Sequence, residues 1–205
     1  MRVAVVDYGA GNLTSVLKGL RAAGADPRIV RAPAELDDAA GIVIPGVGHF
    51  DATRAIGAAM RDAVLSSRMP LLGICLGMQL LYEGSDEAPD VPGLALIEGR
   101  IRRMQGGRDQ TGAAIKVPHV GWNTLAAAGD SALMRGVGSG AAVYFTHGYA
   151  APVGPAASAV TEHGVPFASI VESGRVTGMQ FHPEKSGRAG LTLLENWVTQ
   201  CSASA

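Results

Sequence analysis

The sequence predicts an α/β fold of three layers, in which a mostly parallel central sheet is flanked by helices and extended at one edge by antiparallel strands. Three observations carry that expectation. Short apolar runs without alternation, at residues 3–6, 41–44 and 71–74, read as strands buried on both faces. Strand patterns alternate with apolar residues at three- and four-residue spacing, and such strand–helix repeats build a parallel sheet. Beyond residue 94 the texture changes to alternation interrupted by turn residues, which marks short antiparallel strands.

In chain order, residues 2–7 (Arg-Val-Ala-Val-Val-Asp) open as a strand, and Tyr-Gly-Ala-Gly-Asn leads into a helix with Leu13, Val16, Leu17 and Leu20 on one stripe. The Gly9 and Gly11 pair resembles part of a dinucleotide fingerprint. A third glycine and an acidic ribose partner are missing, so turn geometry explains the pair better. Strands are expected near residues 27–30 and at 41–44, the latter ending in Pro45-Gly-Val-Gly-His-Phe-Asp51. Glycines at the carboxyl end of a strand let backbone N–H groups face a ligand, as an oxyanion hole requires. The plainer reading is a turn capped by Asp51, with His49 a structural polar residue.

A helix over about residues 52–67 precedes the strand at 71–74. Residues 83–93, rich in acidic residues, Gly and Pro, read as a surface loop. Short strands follow within 95–104 and 115–125, where Trp122 reads either as core or as a recognition residue. A strand over 141–149 carries His147, open equally to a catalytic role or to that of a satisfied turn residue. Strands near 167–172 and 175–181 join through Ser173-Gly174, a hairpin signal. Leu191, Leu194 and Val198 place an amphipathic helix over 190–200.

The chain of 205 residues is 47% apolar, with 17 basic and 18 acidic residues that are scattered along it. One compact domain over residues 1–205 accounts for this, since a chain of that length hides roughly 70% of its unfolded surface. Scattered charge argues against nucleic acid or an anionic membrane surface as partner. Asp7 interrupts the opening apolar run before a signal-peptide core forms, and no segment approaches the ~18–20 apolar residues of a membrane span. The two cysteines, Cys75 and Cys201, make a poor disulfide framework, the second lying in a polar C-terminal tail. A reducing, cytoplasmic setting is expected. No C-x-x-C or H-x-x-x-H pair is present to form a structural zinc site.

Gly73-Ile-Cys-Leu-Gly77 stands where the strand at 71–74 gives way to helical spacing. This is the pattern of a nucleophile elbow with cysteine in place of serine: strand and helix backbones approach so closely that only glycine fits on either side. The helix N-terminus beneath the bend favours thiolate over thiol. The alternative is an ordinary buried cysteine, which a matching base elsewhere in the chain would overturn. His182-Pro-Glu184 is a candidate for that base. Two apart on an extended segment, His182 and Glu184 point the same way, and Pro183 puts the segment at a strand end or edge. A histidine near a thiol takes its proton, and a carboxylate on the other ring nitrogen fixes the tautomer. Elbow, glycine-rich turn and His-x-Glu agree on acyl transfer through a thioester.

Gly73-Ile-Cys-Leu-Gly-Met-Gln79 together with His182-Pro-Glu184 resembles the class I (triad) glutamine amidotransferases, over nearly the whole chain. Within that family, Asp7-Tyr-Gly-Ala-Gly-Asn-Leu13, Pro45-Gly-Val-Gly-His-Phe50, Pro118-His-Val-Gly-Trp-Asn123 and Phe181-His-Pro-Glu-Lys-Ser186 are similar to the glutaminase subunits of imidazole glycerol phosphate synthases. Glutaminases of the anthranilate type typically carry histidine where Met78 stands and lack the Pro-His-Val-Gly-Trp-Asn run.

The resemblance implies that Cys75 attacks the side-chain amide of glutamine, that His182 protonates the leaving ammonia and later activates water, and that Glu184 orients His182. It implies oxyanion donors in the backbone of Leu76 and of Val47 or Gly48. Gln79, Gly48 and the backbone near Gly148 and Tyr149 would hold the α-amino and α-carboxylate groups. No metal or cofactor is implied. Ammonia would pass to a (β/α)8-barrel cyclase subunit in histidine biosynthesis, docked on faces built by Asn12, Trp122, Tyr144 and Lys185. His147-Gly148-Tyr149 departs from related chains, which commonly carry a small hydroxyl residue in the middle. The competing readings are the glutaminase of another class I amidotransferase and a non-catalytic binding subunit on the same fold.

Overall fold

The computed structural model describes residues 1–108 and 111–203. Its strands are β1 (Arg2–Val6), β2 (Asp26–Val30), β3 (Ile42–Ile44), β4 (Leu71–Ile74), β5 (Gly84–Ser85), β6 (Ala88–Pro92), β7 (Arg100–Arg103) and β8 (Gly107–Arg108). They continue with β9 (Ala114–Ile115), β10 (His119–Thr124), β11 (Ala126–Ala127), β12 (Ala142–His147), β13 (Tyr149–Pro152), β14 (Ala157–His163), β15 (Val165–Ser173) and β16 (Val176–Met179). The helices are α1 (Leu13–Ala22), α2 (Ala58–Ser66), α3 (Leu76–Leu80) and α4 (Gly187–Ala203).

The main sheet runs β2-β1-β3-β4-β16-β15-β13-β7-β5-β6. Its first five strands are parallel, and antiparallel pairing begins between β16 and β15. Successive strand residues face opposite sides, and the sequence fills both. Val3, Val5, Val43 and Leu72 pack against Val16 and Leu20 of α1 and Leu193, Leu194 and Trp197 of α4. Ala4, Val6, Ile42, Ile44 and Leu71 pack against Met60 and Val64 of α2 and Leu76, Met78 and Leu80 of α3. The expected three layers follow. Trp197 is fully buried, so its truncation to alanine costs about 3–5 kcal/mol.

Several local expectations need correction. Residues 83–93 are not a surface loop: β5 and β6 pair as a hairpin, and Ser85 is fully buried. The helix expected over 52–67 is a 3-10 segment, Phe50–Ala55, followed after Ile56 and Gly57 by α2. That 3-10 segment is capped by His49, whose Nδ1 accepts from the backbone of Asp51, while Asp51 itself pairs with Arg54. The strand expected over 141–149 breaks at Gly148 into β12 and β13, which belong to different sheets. β14 lay outside the sequence reading altogether. Cys201 is not in a polar tail but fully buried in α4, and burial pushes its thiol up to about 12.

β10 and β12 form a separate antiparallel pair with Trp122 opposite Tyr144. Along β10 His119 is buried, whereas Val120 and Trp122 are each 58% exposed. No helix among the described residues is long and apolar enough to cross a membrane.

Candidate active site

The parallel strands end together, and the sharpest turn follows β4. Cys75 adopts φ 52°, ψ −106°, a backbone state that costs a non-glycine residue about 1–3 kcal/mol. Its neighbours explain why the turn is this tight. A Cβ on Gly77 would lie 1.8 Å from the carbonyl oxygen of Ile44, and one on Gly73 would lie 2.5 Å from that of Gly77. The steric reading of the elbow therefore holds, although the helix it opens, α3, spans only five residues.

β16 pairs with β4 in parallel and delivers His182 beside the elbow. The turn after it is a 3-10 segment, Pro183–Lys185, rather than the extended stretch expected. It still brings Glu184 Oε1 to 2.8 Å from His182 Nδ1, with both side chains almost wholly buried. Nδ1 is thus committed to the carboxylate, which leaves Nε2 for sulfur; Nε2 is sealed from solvent and makes no hydrogen bond in this resting geometry. Burial alone would lower the imidazole, but the Cys75 sulfur beside it and the hydrogen bond to Glu184 outweigh it and push His182 up to about 9. At neutral pH the imidazole beside the sulfur carries a proton. Tyr8 lies in the same field: burial first, then the negative charge at Cys75, drives its phenol far above the ordinary range. Its hydroxyl donates to the carbonyl of Pro45 at 2.8 Å.

The turn at residues 45–48 is closed over the elbow. The Leu76 N–H, an expected oxyanion donor, donates instead to the carbonyl of Gly46 at 3.3 Å. Gly48, at φ +104°, borders a cavity of about 40 Å³ with Cys75, Gln79, Glu87, Thr146 and Tyr149. That space admits water but not a glutamine side chain, so the site beside the sulfur is too small for substrate as it stands. A larger cavity of about 720 Å³ lies between residues 96–102 and 152–157 and holds none of these groups.

The family model for glutamine amidotransferase class-I matches residues 4–201. The chain belongs to that family. It is 44% identical over 203 residues to the imidazole glycerol phosphate synthase subunit HisH of Deinococcus radiodurans, covering 95% of this chain and 92% of the relative. Identity to the HisH subunit of Halobacterium salinarum is 47% over 212 residues, covering 98% and 94%. Among solved structures, PurLQS from Thermotoga maritima superposes with a TM-score of 0.69 at 21% identity, covering 97% of this chain and 98% of that one.

Other expected residues of this amidotransferase fold into distinct places. Gln79 is buried at the cavity, but its Nε2 donates to the carbonyl of Tyr149 at 3.0 Å and to Gln180 Oε1 at 3.3 Å; its own carbonyl oxygen is what remains for a ligand. The Gly148 carbonyl accepts from the backbone of Met104 at 2.9 Å. His147, left open by the sequence, is a satisfied structural residue: Nδ1 meets the carbonyl of Tyr149 at 2.9 Å and Nε2 meets His119 at 3.3 Å. Trp122, Tyr144 and Lys185 converge, with Trp122 and Tyr144 ring centroids 6.0 Å apart and Lys185 Nζ 6.0 Å from the Tyr144 ring. Asn12 caps α1 through Ser15.

Sequence reasoning passed over Glu87 and Gln180. Glu87 borders the cavity and accepts from the backbone of Phe50 at 2.7 Å; it was hidden inside the supposed loop. Gln180 carries a legible signal, an amide between Met179 and Phe181 where the pattern is otherwise apolar, and it is fully buried. Among the described residues no group of three or more His, Cys, Asp or Glu could hold a metal ion.

Proposed function

We propose that the chain is the glutaminase subunit of an imidazole glycerol phosphate synthase, hydrolysing glutamine to glutamate and ammonia. The observation that carries this reading is the 2.8 Å contact of His182 Nδ1 with Glu184 behind an elbow cysteine. The Cys75 sulfur attacks the side-chain amide carbon of glutamine, and the amide nitrogen leaves as ammonia with the proton held at His182 Nε2. Water then attacks the resulting thioester, giving its proton back to Nε2 as the thiol ester breaks and glutamate forms. Glu184 steadies the imidazolium in both steps. The Glu87 carboxylate and the Gln79 carbonyl oxygen, both acceptors, suit the α-ammonium group of the substrate.

A cavity this small makes this a resting site. Leu76 becomes an oxyanion donor once the Gly46 carbonyl lets go of its N–H, with Val47 or Gly48 supplying the second donor; one such donor is typically worth ~10²–10³ in rate. The ammonia goes to a (β/α)8-barrel cyclase subunit. Val120 and Trp122, each 58% exposed, with Tyr144 and Lys185, form the face on which that subunit docks, and Asn12, at the start of α1, is a further contact of the same proposal. The chain works as one domain in the cytoplasm. The test is glutamate release by the purified chain, alone and with the cyclase subunit turning over its own ligand. Release that rises on addition of the cyclase is the expected result, and no release in either state overturns the reading.

A further inference from the structure

Three side chains behind the elbow form a hydrogen-bond chain whose direction is dictated by a backbone carbonyl. The Tyr149 carbonyl only accepts, so the Gln79 atom 3.0 Å from it is the amide nitrogen. That same nitrogen lies 3.3 Å from the Gln180 side chain, which must therefore present its oxygen there. The other end of the Gln180 amide is then its nitrogen, and it points at Cys75 Sγ, 3.8 Å away. Gln180 is fully buried and Gln79 nearly so, so no water competes for these bonds.

On its other side the sulfur faces the Thr146 carbonyl at 3.9 Å. These neighbours act oppositely. A carbonyl receives the proton of a neutral thiol and opposes a negative sulfur, whereas an amide N–H is strengthened as sulfur becomes charged. We infer that Gln180 is a further catalytic residue, whose side-chain N–H holds the Cys75 sulfur in its thiolate form and whose orientation is set by Gln79. This rests on the reading of Cys75 as the nucleophile and adds a group to it: His182 receives the proton, and Gln180 stabilises the charge left behind.

The experiment is the rate of Cys75 alkylation by iodoacetamide as a function of pH, on the full chain, read by mass spectrometry of the Cys75 peptide so that buried Cys201 does not contribute. Gln180→Met keeps length but lacks the donor; Gln180→Glu keeps an acceptor for Gln79 and, once ionised, replaces the donor with a negative charge against the sulfur. The other titratable groups around the sulfur, His182 with Glu184, Tyr8, His147 and Glu87, are unchanged in both. The midpoint of the profile is expected to move up by about one pH unit in Gln180→Met, which is about tenfold in rate at a fixed pH below the midpoint, and further in Gln180→Glu.

An unmoved midpoint in both variants overturns the inference, and so does a lowered plateau without a moved midpoint, because that reports packing. Should neither variant fold, the wild-type chain still decides: the Gln180 side-chain amide resonances shift with the alkylation midpoint if the N–H meets the thiolate, and their indifference to it overturns the assignment. Glutamate release separates the two ideas. A wild-type chain that releases glutamate while the variant midpoints stay put removes Gln180 alone, and a wild type that releases none with its cyclase partner removes the glutaminase reading.

Discussion

The backbone N–H of His182 donates to the carbonyl of Tyr144 at 2.9 Å, so the imidazole hangs from the strand that carries the aromatic face. Ser186 closes the unit. Its hydroxyl accepts from the Tyr144 N–H at 3.0 Å and donates to the His182 carbonyl at 2.6 Å. Ser186→Ala removes both bonds; the His182 carbonyl keeps the Lys185 N–H at 3.0 Å, but the part-buried Tyr144 N–H loses its partner, a loss of about 1–3 kcal/mol. Because displaced catalytic groups lose rate steeply, kcat for glutamate release is expected to fall about ten- to a hundredfold with KM little changed. Steady-state kinetics beside a thermal melt check this, and an unaltered kcat in a destabilised protein would contradict the positioning role.

His182 also sets an upper pH limit. Burial opposes its charge, but Cys75 and Glu184 raise it to about 9, above the ordinary value near 6.5. The sign follows from a raised value in the fold: the pairing contributes its full stability below about 6.5 and loses it as pH rises through about 9. Glutamate release requires the proton on Nε2 for the leaving ammonia, so kcat/KM, which reports the free enzyme, is expected to decline as pH rises through about 9. Glu184→Gln removes one of the raising contacts and is expected to bring the decline to lower pH. A wild-type rate that stays flat through about pH 10 would sink the assignment of His182 as acid.

What could be read from the sequence was what sterics and periodicity write into it. Gly73 and Gly77 are required by contacts of 2.5 and 1.8 Å that a Cβ would make, so the elbow was visible without a structure. The parallel strands were visible because burial on both faces leaves an unbroken apolar run. The β5–β6 hairpin was not, because strands of two and five residues show no period, and edge strands tolerate Pro89 and Pro92. Glu87 was lost with them. The break at Gly148 was equally silent, since the apolar alternation of β12 continues into β13 while the chain changes sheets. Whether Leu76 offers its N–H to a ligand or to Gly46 depends on one peptide orientation, which no residue pattern records.

Acid is expected to weaken the fold through the paired histidines under β10. His147 Nδ1 faces the Tyr149 carbonyl and so carries the proton, leaving Nε2 to accept from His119 Nδ1 at 3.3 Å. Asn123 Nδ2 supplies the last bond, to His119 Nε2 at 3.3 Å. The set is satisfied only when both rings are neutral, and a further proton would set N–H against N–H. Burial lowers His147 to about 4 and His119 to about 3, with neighbouring histidines adding to it. A lowered value in the fold means stability that is complete above about 6.5 and is lost as pH falls toward 4, by about 1.4 kcal/mol per pH unit for each histidine involved. Urea midpoints between pH 7 and pH 4 should show that slope, and His147→Gln should flatten it.

Gly148 tests whether a glycine in the site is required or merely present. Its backbone is not in the left-handed region, and a Cβ there would touch Val117 Cγ1 at 3.8 Å and Pro118 Cβ at 3.9 Å, ordinary contact distances. A side chain fits, in contrast to Gly73 and Gly77. Gly148 borders the cavity around the sulfur, so Gly148→Ser places a hydroxyl where glutamine is proposed to lie. One added neutral hydrogen bond is worth about 0.5–1.5 kcal/mol net, or roughly two- to tenfold in affinity. KM for glutamine is therefore expected to fall by that factor with kcat and melting temperature unchanged. A KM that does not move, in a protein that melts normally, would mean that the substrate's polar groups do not reach residue 148 and that its α-substituents lie on the Glu87 side of the cavity alone.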